Sequence, residues 1–221
     1  MKKIVFVFAI LTIFSCKQKK EQIIIEDISV AQKIANAHGF KSWNNVTSVE
    51  FTFGGQIEDT NSGRSWAWNP KTKDIKLKKS NKTVVYNQNQ LDSSNLKIDK
   101  AFINDKFWAF IPFQLVWDTG VSISKPIKSL APVTNTELNK LTLLYSNQGG
   151  YTPGDAYDIY FNNDYIIKEW TFRRNNATEA TLTNTFENYI DIEGIKVAQE
   201  HKKADGKWNL LIRDLKIQFE E

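Results

Sequence analysis

The run AYDIYFN at residues 156–162 is followed by IIKEWTFR at 166–173, with Asn162-Asn163-Asp164 at the join. Two strand-length runs rich in β-branched and aromatic residues, separated by turn formers, read as a β-hairpin. The same rhythm continues outward in both directions. Toward the C-terminus come Ala180–Tyr189, Ile195–Lys203 and Trp208–Phe219, divided by Asn175-Asn176, Glu193-Gly194 and Asp205-Gly206. Asp-Gly is the strongest of these hairpin signals. Leu141–Ser146 precedes the quoted hairpin. Further back, Val49, Phe51 and Phe53 alternate with Glu50, Thr52 and Gly54. Trp66 and Trp68 share one face of 65–69. Ile75 and Leu77 share one face of 74–79, with lysines on the other, and 83–86 is a further short strand. Gly54-Gly55, Asn61-Ser62-Gly63, Pro70-Lys71 and Ser80-Asn81 separate these runs. Sequential hairpins without a βαβ rhythm predict antiparallel sheet, with one dry and one wet face.

Two helices interrupt the strands. Asp27 is a candidate N-cap for the first, where Ile28, Ala31, Ile34 and Ala35 recur at helical spacing and Gly39 ends the run after His38. Phe40 and Trp43 then pack this helix onto the sheet. The second is expected over 98–110, where Ala101, Phe102, Asp105, Trp108 and Ala109 share a face and Pro112 stops it. Phe113, Leu115 and Trp117 alternate with Gln114, Val116 and Asp118, a strand pattern. Residues 119–137, with Gly120, Pro126 and Pro132, read as loop with a short strand. The fold class is therefore mainly β (α+β): one strongly curved antiparallel sheet or open half-barrel of roughly ten strands around one or two helices.

The chain has 221 residues, of which 41% are hydrophobic and 24% charged, a globular balance. A single cysteine excludes a disulfide framework and a Cys-based zinc site. Two histidines, His38 and His201, exclude a multi-His metal centre. No cofactor is expected.

The N-terminus reads as an address. Met1-Lys2-Lys3 is basic, and Ile4–Phe14 is an apolar run of 11 residues. A spanning helix needs about 20 apolar residues, so this run fits the core of a secretory signal. Ser15 and then Cys16 follow it. Ile13-Phe14-Ser15-Cys16 resembles the lipobox of a bacterial lipoprotein signal. The resemblance implies that Cys16 is lipidated and becomes the new N-terminus, and that several acyl chains, palmitate among them, hold the protein stably on a membrane. Loss of Lys2 and Lys3 with the leader lowers the net charge from +4 to +2. No basic stripe supports nucleic-acid binding. Lys17, Lys19 and Lys20 read as part of a solvated spacer. The expected organisation is a signal over 1–15, a polar tether over 16–27 and one domain over 28–219.

Several segments resemble a family of uncharacterised lipoproteins of the Bacteroidota: Ala37-His38-Gly39 before a Trp, Asn104-Asp105-Lys106-Phe107-Trp108, Tyr151-Thr152-Pro153-Gly154-Asp155-Ala156-Tyr157, and Glu169-Trp170. In layout the chain is also similar to periplasmic lipoprotein carriers and receptors of the Lol type. That likeness implies an unclosed barrel around helices, with a concave face that takes acyl chains. By resemblance to bacterial sorting signals, Lys17 after Cys16 implies the outer membrane, facing the periplasm. The chain is expected to act as a monomer.

The first candidate site is the aromatic set Phe51, Phe53, Trp66, Trp68, Phe107, Trp108, Phe110, Trp170 and Phe172. Two readings stay open for it: the lining of a ligand cavity on the concave face, or the core that packs around a helix plugging that face. Asp155 and Tyr157 stand after Gly149-Gly150 and Pro153-Gly154; Asp155 there closes a turn or presents a polar group at a cavity mouth. His38 is expected to complete a helix C-terminus as an imidazolium, and His201, between Glu200 and Lys202, to be a surface residue at a strand end. Acid pairs such as Asp155/Asp158 and Asp191/Glu193 have no spacing that defines a glycosidase. Phosphate-binding, Gly-x-Ser-x-Gly and His-Glu-x-x-His motifs are absent, so no enzymatic activity is expected. The expected function is that of a membrane-anchored envelope lipoprotein binding a lipid or other apolar ligand; the alternative is a structural or protein-interaction module.

Overall fold

A computed structural model describes residues 28–55, 62–148 and 152–220. The signal, Cys16, the tether with its lysines and Asp27 lie outside the described residues, as do Asn61, Gly149-Gly150 and Tyr151. Helix α1 (Val30–Ala37) is capped by Ser29, whose Oγ accepts from Gln32 N at 3.2 Å. Gly39 ends it with φ +92°, and a Cβ there would meet Gly194 O at 2.1 Å, so only glycine fits. A 3₁₀ turn over Phe40–Asn45 leads into the strands.

Four hairpin-linked strands follow: β1 (Val46–Phe53), β2 (Arg64–Trp68), β3 (Asp74–Lys79) and β4 (Lys82–Asn87). Two helices come next, α2 (Leu96–Ala109) and α3 (Ile111–Trp117). Residues 113–117 are thus helical, where their alternation predicts a strand. Pro112 lies in the first turn of α3, where its missing N–H costs nothing. Ile111 to Leu115 are all buried, and a helix buried on all sides leaves no 3.6-residue period in its sequence. Residues 119–137 hold two short strands, β5 (Val121–Ile123) and β6 (Ile127–Leu130).

The last strands are β7 (Glu137–Tyr145), β8 (Ala156–Phe161), β9 (Ile167–Arg173), β10 (Leu182–Thr185), β11 (Glu187–Ile192), β12 (Ile195–Lys202) and β13 (Asn209–Phe219). All pairings are antiparallel. Seven strands form one sheet in the order β11-β12-β13-β1-β2-β3-β4; the other runs β10-β9-β8-β7-β5, with β6 also on β7. The fold is mainly β, with antiparallel sheet wrapped around helices and no closed barrel among the described residues. The curvature expected of one sheet is shared between two, because the run Leu182–Ile192 belongs to both. It bends at the buried Phe186, pairing with β9 before the bend and with β12 after it. Phe186 N donates to Lys168 O at 2.7 Å, and Lys202 N donates to Thr185 Oγ1 at 3.1 Å, which holds the corner to both sheets.

Two buried clusters fill the interior. Phe102, Ala109, Phe110 and Phe113 pack against β1–β3 and β13. Phe107, Ile111 and Leu115 pack against the inward residues of β7–β9. Trp108 and Val116 touch both clusters. The helices α2 and α3 therefore occupy the space that the sheets enclose.

Candidate functional site

The concave side is built around α2, and two buried carboxylates fix that helix to the seven-stranded sheet. Asp105 is fully buried and each of its oxygens is engaged twice. Oδ2 accepts from Arg64 Nε and Trp66 Nε1, both at 2.7 Å; Oδ1 accepts from Arg64 Nη2 at 2.6 Å and Asn104 Nδ2 at 3.0 Å. A bidentate Arg–carboxylate pair is both strong and directional. Arg64 also lies over the Phe53 ring, 5.1 Å from its centroid. One and a half turns earlier, Asp99 accepts from Tyr86 Oη at 3.0 Å and Gln88 Nε2 at 2.8 Å. The opposite side of α2 carries Phe107, whose ring meets Tyr157 at 4.9 Å and Trp170 at 5.8 Å.

The nine aromatic candidates divide on this framework. Phe51, Phe53, Trp66, Trp68 and Phe110 are buried in the first cluster. Phe107 and Trp170 are buried in the second, and Phe172 packs partly buried beside it. Trp108 sits where the two meet, its ring 4.6 Å from Trp170, 5.4 Å from His201 and 6.3 Å from Phe53. Phe107, Trp108, Trp170 and Phe172 line one cleft, of about 190 Å³, between α2 and β8–β9. Small-molecule sites usually measure ~300–1,000 Å³, so this cleft falls short of an acyl-chain cavity.

Both histidines differ from expectation. His38 does close the C-terminus of α1, but it is fully buried and neutral: burial lowers its pKa to about 4. Nδ1 donates to Ile34 O at 2.8 Å, and Nε2 accepts from Ile167 N at 3.4 Å, which ties α1 to β9. His201 is not at the surface. It too is fully buried, with its pKa lowered to about 4 by burial, packed on Phe186 at 4.6 Å. Its Nδ1 donates to Thr185 O at 3.2 Å, which reinforces the corner at Phe186.

The acidic candidates serve local contacts. Asp155 accepts from Asn175 N at 2.7 Å, joining the Thr152–Gly154 turn to the connection after β9, while Tyr157 Oη lies 3.3 Å from Thr152 Oγ1. Asp158 is ion-paired with Arg173 at 3.0 Å, and Asp191 accepts from Gly194 N at 2.8 Å within its own turn. Among the described residues no group of His, Cys, Asp and Glu side chains gathers as a metal-ligand set, and no described helix is long and apolar enough to cross a membrane.

Larger clefts also occur among the described residues. One, about 630 Å³, is an open hollow beside the corner, reached by Leu138, Lys168, Glu169, Phe186 and Tyr189. Glu169 is buried at its floor and accepts from Val133 N, Thr134 N and Thr134 Oγ1 at 2.5–2.9 Å. A cleft of about 380 Å³ is walled by Trp43, Trp68 and Trp117 around Lys106. Of these four residues the sequence pattern singles out only Trp68 as a site candidate; Lys106 and Trp117 come together because residues 111–117 turn back as a helix. Comparison of the chain with family models, curated proteins and solved structures finds no match.

Proposed function

We propose that the chain is a lipid-anchored, non-enzymatic module of the cell envelope, a half-barrel filled by its own helices that offers a rigid body to a partner. The anchor is Cys16, and the sorting pattern after it favours the outer membrane facing the periplasm. The observation that carries the reading is the fixation of α2. A carboxylate as buried and as fully engaged as Asp105 cannot leave Arg64 and Trp66 without exposing unpaired charge and an orphaned N–H. A lid over a lipid cavity would have to break these contacts at each uptake. Sheet edges at β4 and at β5–β6 are unpaired among the described residues, and Val85, Ile127 and Leu130 are exposed there. Such edges are ready surfaces for pairing with another chain.

The carrier reading retains one support, the aromatic cleft of about 190 Å³. Native mass spectrometry of a chain beginning at residue 17 separates the two. The module reading expects the mass of the protein alone, and an unfolding temperature unchanged by palmitate or phosphatidylethanolamine. A co-purified phospholipid together with a lipid-induced rise in Tm would establish a carrier instead.

A further inference from the structure

The cleft around Lys106 has features that packing does not account for. The Lys106 ammonium lies 5.7 Å from the centroids of both the Trp68 and Trp117 rings, and no ion pair joins it to any described carboxylate. Its neighbours in the NDKFW stretch all have partners: Asn104 on Asp105, Asp105 on Arg64 and Trp66, Phe107 and Trp108 in the aromatic clusters. Gln114 is only 3% exposed and lines the same cleft, yet its amide makes no hydrogen bond to a described residue. Trp68, also on the wall, has a buried indole N–H without a partner among the described residues. Buried polar groups are normally satisfied. Of these groups only the Trp68 indole N–H is buried without a partner among the described residues; the Lys106 ammonium rests over the two indole rings and borders the cleft together with Gln114, with Lys73 at the rim.

The set is rich in donors and positive charge, which calls for an anionic ligand with acceptor oxygens. Asp118 adds the opposite requirement. One of its oxygens accepts from Tyr145 Oη and the other has no partner among the described residues, so it suits a ligand hydroxyl. The indole walls present electron-rich faces, which favour polarised C–H groups. Trp43 stands 4.9 Å from Trp117 and 5.5 Å from Trp68, centroid to centroid, so the walls are fixed before any ligand arrives. At about 380 Å³ the space is within the range of small-molecule sites. We infer that the cleft between Trp43, Trp68 and Trp117 binds a small anionic sugar, a hexuronate or a sugar phosphate, with its charge on Lys106 and its ring against the indoles.

Burial lowers the pKa of Lys106, against the pull of Asp118, and raises that of Asp118. An anion beside Lys106 replaces the solvation that burial removes. The inference is independent of the module reading, since a filled half-barrel does not need this cleft.

Isothermal titration of the membrane-extracted protein with D-glucuronate, D-glucose 6-phosphate, D-glucose and inorganic phosphate tests it. One of the two anionic sugars is expected to bind at least about tenfold more tightly than both D-glucose and phosphate. Which of the two prevails identifies the anion. Lys106→Met, which keeps the aliphatic stem between the indoles, is expected to weaken binding at least about tenfold, and Lys106→Arg to preserve it. Should Lys106→Met lower the unfolding temperature, Lys73→Met at the exposed rim is the second variant, with weaker binding expected there too. No binding of either anionic sugar below about 10 mM, phosphate alone binding as tightly as the sugars, or unchanged binding in the lysine variants would overturn the inference.

Discussion

His38 and His201 are each held neutral by burial, with a hydrogen bond that fixes Nδ1 as the protonated nitrogen. Their folded pKa of about 4 lies below the ordinary 6.5. Between these values the unfolded chain binds more protons than the native one. Their contribution to stability is therefore complete above pH 6.5 and is lost as pH falls toward 4, by up to about 3 kcal/mol for each ring. Urea unfolding at pH 7 and pH 4.5 should show this loss, and His201→Phe should remove its share of the slope while destabilising at pH 7 by leaving Thr185 O with the Asn184 amide but without the imidazole donor. An unchanged pH dependence in that variant would mean that the ring titrates normally. His201 illustrates how a residue is misread. Its charged neighbours Glu200 and Lys202 suggest a surface, but alternation puts those two outward and His201 on the dry face. The proposed anchor at Cys16 rests on local chemistry alone. Cys16→Ser should abolish fatty-acid labelling and leave the leader unprocessed, and a variant that still incorporates palmitate would refute the anchor.

At the scale of elements, α2 decides between a plug and a lid. Asp105→Ala leaves the Arg64 charge and the Trp66 N–H unpaired beneath the helix, so a loss of about 3–5 kcal/mol is expected. Trp108→Ala removes the ring that meets Trp170, His201 and Phe53 at the junction of the clusters, at an expected cost of about 3 kcal/mol because the ring is only partly buried. Denaturation midpoints measure both. A Trp108→Ala protein as stable as the parent would indicate a helix loosely seated on the sheets. The hairpins were legible because their turns carry Asn, Asp, Gly and Pro at the required places, as at Glu193-Gly194, where both residues have positive φ. Helix α3 was not legible. Phe113, Leu115 and Trp117 imitate a strand, and their helical period is hidden because the helix is enclosed on nearly all sides. The bend at Phe186 escaped for a related reason: its buried side chain looks like any other apolar residue of a continuous strand.

Across the whole molecule, the two sheets are coupled by a shared strand run at the corner and by α2, which places Asp105 and Phe102 on one and Phe107 on the other. Neither sheet can lose its partner without baring an apolar face. Calorimetry should therefore give a single transition with equal calorimetric and van't Hoff enthalpies, and two resolved transitions would contradict the coupling. The curved sheet with a helical filling could be read from hairpin rhythm and aromatic content. Whether the aromatics line a cavity or form a core could not, because that depends on how far α2 enters, a matter of long-range pairs such as Arg64–Asp105. Native-state hydrogen exchange of the α2 amides tests that point most directly, with β1 and β8 as references. A fixed plug predicts that residues 100–109 exchange only through global unfolding, at the same free energy as the two strands and without change when phospholipid is added. Exchange of α2 through a separate opening of much lower free energy, shifted by phospholipid, would contradict the account and make the helix a lid.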